Sequence, residues 1–124
     1  MRQTDVIRAF IAKLFNKSSV AILIVNGKNQ PASGHWLEIC LPKVALHSKD
    51  TESEIFVWNN DVVDSRVPQI TRRYGNVRLI QADPAEKLTH PHAVPLQRLY
   101  EVARKERVKY IVTLDNDAFP IKDG

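Results

Sequence analysis

The chain has 124 residues, 44% hydrophobic and 26% charged, with 18 basic against 14 acidic side chains and a net charge of +4. That composition belongs to one globular domain; it argues against disorder, and no apolar run reaches the roughly 20 residues of a membrane span. The positive balance favours anionic partners, but the basic residues are scattered in short groups such as Arg72-Arg73, without an aromatic-interleaved tract, so nucleic acid is not the expected partner.

Residues 5–15 (DVIRAFIAKLF) place Val6, Ile7, Phe10, Ile11, Leu14 and Phe15 at helical spacing, with Arg8 and Lys13 opposite. Residues 1–18 are therefore expected to carry an N-terminal amphipathic helix that packs on a sheet rather than lying on a membrane. Residues 20–25 (VAILIV) form a continuous apolar run of strand length, which suits the middle of a parallel sheet covered on both faces. A loop with Asn26-Gly27-Lys28 and Pro31 follows, then a helix over residues 35–47 that Pro42 should kink or divide. Residues 55–58 (IFVW) read as a second strand, residues 67–74 as a short helix capped by Gly75, and residues 77–80 (VRLI) as a third strand. The pattern of residues 94–107 predicts a helix with Pro95 in its first turn, and residues 109–114 close the series as a fourth strand.

Strands alternating with helices predict an α/β domain spanning residues 1–124, with a largely parallel sheet of about four strands and flanking helices. Ligands of such sheets bind outside the carboxyl ends of the strands. Asn26-Gly27, Asn59-Asn60-Asp61 and Asp115-Asn116-Asp117 should therefore open on one edge. Two carboxylates two residues apart at a strand's end can approach one hard cation, so Asp115 and Asp117 are candidate ligands of Mg²⁺ or Mn²⁺. The plainer reading is a solvated acidic turn.

Other polar residues carry weaker signals. His90-Pro91-His92 brings two imidazoles together, but no third His or Cys stands at ligand spacing, so loop histidines are the better reading than a transition-metal site. His92 and Lys87 fall after the third strand, within reach of a diphosphate, while Arg98 is expected on a solvated helix face. Asn16-Lys17-Ser18 fits a glycosylation acceptor, yet no hydrophobic signal region precedes it. Together with Cys40, a lone cysteine in an apolar stretch, this points to a cytoplasmic chain.

Asp115-Asn116-Asp117-Ala118-Phe119-Pro120 resembles the metal-binding "LD(S/N)DAFP" stretch of GT-A-type, family-2-like glycosyltransferases. Residues 57–64 (VWNNDVVD) are similar to that family's "VVDNGSTD" loop, and residues 22–26 to its "IIIVNYN" strand, with Gly27 and Lys28 replacing the aromatic residue and second Asn. The resemblance covers about residues 20–120. It implies a Rossmann-like GT-A nucleotide-sugar-binding half that holds a nucleoside-diphosphate sugar, conventionally a UDP-sugar, through Mn²⁺ or Mg²⁺. Asp117 would be the main metal ligand, and Asp115 would touch the ribose or the metal. Asn26 and the loop with Asn59 and Asp61 would contact the nucleoside. Asn59 replaces the family's base-binding Asp.

The family's acceptor pocket and catalytic base lie after the Asp-X-Asp. The resemblance therefore implies a truncated chain, a second chain or domain completing the acceptor site, or a non-catalytic remnant that binds a nucleotide or a partner. Apolar surface is expected where the family's sheet would continue. A receiver-like phosphate-binding domain is a further rival, but it needs acidic residues after the first strand, where this chain has Val25-Asn26-Gly27-Lys28.

Overall fold

The computed structural model describes residues 20–27, 34–48 and 52–115. The helix expected near the N-terminus, the loop residues 28–33 and Asn116-Asp117 lie outside the described residues. Within them, β1 (Val20–Asn26), α1 (Gly34–His47), β2 (Ser53–Asn59), α2 (Arg66–Thr71), β3 (Val77–Gln81), α3 (Ala93–Lys105) and β4 (Tyr110–Asp115) alternate along the chain. The strands pair in the order β3-β2-β1-β4, every pairing parallel. The fold is α/β and Rossmann-like.

The two-residue period of the central strands builds a core on each face of the sheet. Ile22, Ile24, Ile55 and Val57 meet Leu37, Cys40, Leu41 and Val44 of α1 and Val67 and Ile70 of α2. Ala21, Leu23, Val25, Phe56 and Trp58 meet Leu99 and Ala103 of α3 on the opposite face. Burial on both faces is why β1 and β2 read as unbroken apolar runs. The outer strands have less cover. On β4, Tyr110 is 67% and Val112 42% exposed, so exposed apolar surface is present on this edge strand. No helix among the described residues is long and apolar enough to cross a membrane.

Two local expectations need correction. α1 runs through Pro42 undivided, because Leu37 and Leu41 before it and Val44 after it are anchored in one core while Pro42 itself faces outward. α2 stops at Thr71 with Arg72 as its cap in right-handed conformation, and no described glycine has positive φ, so Gly75 is not a left-handed cap. Successive tight turns, Arg73 N–H to Ile70 O and Tyr74 N–H to Thr71 O, carry the chain toward β3 without one. The left-handed residue is instead Arg107, at φ 58° just after α3.

The strand order sets the address of any ligand. From β1 to β2 to β3 the chain steps one way across the sheet, then returns through α3 to lay β4 on the far side of β1. The carboxyl ends of β1 and β4 thus flank the point where the winding reverses, the usual ligand crevice of open α/β sheets.

Candidate functional site

A cavity of about 630 Å³ opens at that edge. Val25 and Gly27 contribute from the end of β1, Trp58, Asn60 and Val62 from β2 and its loop, and Asp115 from the tip of β4. Ala82, Asp83, Pro84, Glu86, Leu88, Pro91 and His92 close it from the segment between β3 and α3. Its size falls within the roughly 300–1,000 Å³ common for small-molecule sites. Asp83, Glu86 and Asp115 make the described lining acidic, and it contains no Lys or Arg.

Asp115 and His92 meet across this cavity. In register with Val25, Asp115 falls on the α3 side of the sheet, where His92 stands at the N-cap of α3. Their closest approach, His92 Nε2 to Asp115 Oδ1, is 3.6 Å, with the side chains 60% and 74% exposed. That gap is too long for a hydrogen bond. The His92 ring makes no capping bond to its helix either. Nor does the start of α3 offer many donors to an anion: Val94 N–H is given to His90 O, and Pro95 has none.

The segment carrying His92 is tied down on two sides. Trp58 Nε1 donates to Asn60 Oδ1 at 2.9 Å, and Asn60 Nδ2 donates to Pro91 O at 2.8 Å. Arg98, expected on a solvated face, forks onto both carboxylate oxygens of Glu86 and lies 5.5 Å from the Trp58 ring centre. Hydrogen bonding from Arg98 holds the Glu86 carboxyl below its ordinary value.

Asn26 and Asn59 occupy a different setting. They face one another in register, with Gln81 opposite Asn59 on β3, so three amides form a row across the sheet. Asn26 Nδ2 donates to Asn59 Oδ1 at 2.9 Å, and Asn59 Nδ2 donates to Gln81 Oε1 at 2.7 Å. Asp61 fixes the orientation of Asn59: its N–H donates to Asn59 Oδ1 at 3.0 Å and its carbonyl accepts from Asn59 Nδ2 at 3.1 Å. Asn26 and Asn59 are wholly buried. Asn59 thus has both lone-pair positions and both donors in use, and contact with a base would first require one of those bonds to open. An Asp in its place would keep the accepting bonds and lose both donating ones.

Asp64 supports the same edge from behind. Its Oδ2 accepts the N–H of Gly34, the first residue of α1, at 2.9 Å, and its Oδ1 accepts the N–H of Arg66 at 3.0 Å. A carboxylate from the loop after β2 therefore supplies the negative charge that the first turn of α1 lacks. A Cβ on Gly34 would lie 2.7 Å from Asp64 Oδ2, so a larger residue there would have to push the carboxylate aside. Burial opposes ionisation of Asp64, but bonds from Arg66 and Gly34 outweigh it and hold the carboxyl below its ordinary value.

Of the residues singled out from sequence, Asp115, His92 and the strand-end loop residues Gly27 and Asn60 line the cavity, whereas Lys87 does not; Asn26 and Asn59 lie in the amide row, Asp61 anchors that row, and Asp117 is outside the described residues. Asp83 and Glu86 joined the cavity without any motif to announce them. The described residues contain no cluster of three or more His, Cys, Asp or Glu suited to a metal. Asp115 with His92 nevertheless offers one oxygen and one nitrogen donor facing an open space, which fits a divalent ion that keeps several positions for water or ligand oxygens. Compared with known proteins, the chain matches no family model and no curated sequence.

Proposed function

We propose that this domain binds a nucleoside-diphosphate sugar, a UDP-sugar foremost, through Mn²⁺ or Mg²⁺ on Asp115 and Asp117, for sugar transfer to an acceptor hydroxyl. The reading follows the glycosyltransferase resemblance of the sequence. One structural observation carries it: a cavity of ligand size lies at the reversal point of the sheet, with Asp115 at its rim and no cationic Lys or Arg among its described lining. A diphosphate entering such a cavity needs a cation between it and the carboxylates. When bound, the metal neutralises the diphosphate and supports its departure. Asp115 orients the anionic end of the donor, while Val25, Val62, Leu88 and the Trp58 ring give its nucleoside an apolar wall. The fully buried Cys40 thiol suits a cytoplasmic setting.

Calorimetric titration with UDP, with and without Mn²⁺, tests the reading. Binding that needs the metal and disappears in the Asp115→Asn/Asp117→Asn double variant is expected. Absence of UDP binding by the folded chain would overturn it. Metal-dependent UDP binding without transfer or hydrolysis of a UDP-sugar would instead identify a non-catalytic nucleotide-binding domain.

A further inference from the structure

The backbone of His92 caps α3 through its carbonyl, which accepts the Leu96 N–H, but its ring makes no hydrogen bond to its helix. That ring lines the cavity and presents Nε2 3.6 Å from Asp115 Oδ1. The segment that delivers it is braced by the Asn60–Pro91 bond and the Glu86–Arg98 fork. Two donor atoms that bind one six-coordinate ion at about 2.1 Å stand roughly 3 Å apart when adjacent. The observed separation is wider by about half an ångström, a difference that two exposed side chains can close by small rotations.

We infer that His92 Nε2 and Asp115 bind the same divalent cation, making this an oxygen-and-nitrogen site that takes Mn²⁺ in preference to Mg²⁺. The inference rests on the donor-site reading above and specifies its metal. Mg²⁺ is held by oxygen ligands and dehydrates reluctantly, whereas an imidazole nitrogen is a good ligand for first-row transition ions. The brace on the segment before α3 then acts as a positioning device, since it keeps the imidazole at the cavity as the ion arrives.

The test uses Mn²⁺ and Mg²⁺ alone on the whole chain, without nucleotide. Pulsed electron paramagnetic resonance of bound Mn²⁺ should show coupling to an imidazole nitrogen in the wild type and lose it in His92→Gln. Mn²⁺ affinity of that variant should fall on the order of ten-fold or more, and Mg²⁺ affinity should hardly change. No Mn²⁺ binding by the folded wild type, no nitrogen coupling, or equal Mn²⁺ affinity in His92→Gln would each overturn the inference. UDP titration separates the two readings. Nitrogen-coupled Mn²⁺ without UDP binding sinks the nucleotide reading alone, and metal-dependent UDP binding unaltered in His92→Gln sinks the His92 assignment alone.

Discussion

Two polar clusters share the carboxyl edge of the sheet, and they are built on opposite terms. The Asn26–Asn59–Gln81 row is closed, with the two asparagines fully buried and every hydrogen-bonding position of Asn59 matched inside the protein. The Asp115–His92 pair is open, its side chains 74% and 60% exposed across a gap of 3.6 Å. Buried polar groups must be satisfied or the fold suffers, so the row belongs to stability. Exposed groups that converge without bonding add little to stability and remain usable by a ligand.

The contrast can be broken most decisively at Asn59. Asn59→Leu strips partners from the Asn26 amide and the Asp61 backbone at a buried position, and should cost about 3 kcal/mol or more by chemical denaturation. A loss under roughly 0.5 kcal/mol would show that the row is not structural.

Next comes Asp64→Ala, which removes the carboxylate from the start of α1 and should cost about 1–2 kcal/mol. Because Asp64 is held below its ordinary value of 3.8, the folded state takes up this proton less readily than the unfolded chain. Its contribution is therefore complete above about pH 4 and is lost as pH falls below that. Acid denaturation of Asp64→Asn should lack that part of the slope.

Smaller still, and opposite in sign, Arg107→Gly relieves a left-handed residue after α3 and should stabilise by about 0.5–1 kcal/mol. At the bottom of the scale, Asp115→Asn should stay within about 0.5 kcal/mol of wild type in thermal melts while metal-dependent UDP binding is lost. That last pair of results would sharpen the contrast more than any large destabilisation.

The legibility of the sequence divides along the same line. The unbroken apolar runs of β1 and β2 announced a sheet buried on both faces, and the strand-helix alternation announced parallel pairing. Pro42 and Gly75 misled, because local propensity yields to an anchored helix face and to a chain of right-handed turns. Asp115 could be read as a ligand candidate from its place at the tip of an apolar strand. His92 was legible only as a loop histidine within reach of a diphosphate; its approach to Asp115 was hidden, since it depends on α3 returning to the sheet's far side. The amide row was equally hidden. Each amide looks like an ordinary strand-end residue until the register aligns Asn26, Asn59 and Gln81.

That row also has a direction. Asp61 fixes which way the Asn59 amide faces, and the donors then point in sequence from Asn26 to Asn59 to Gln81. The three side-chain dipoles add, with their amino ends toward β3 and their carbonyl ends broadly toward β1 and β4. The edge is thus electrically polarised by neutral groups. A cation at the crevice between β1 and β4 would stand nearer the carbonyl end of that row than its amino end, with the amides and Asp115 on opposite faces of the sheet.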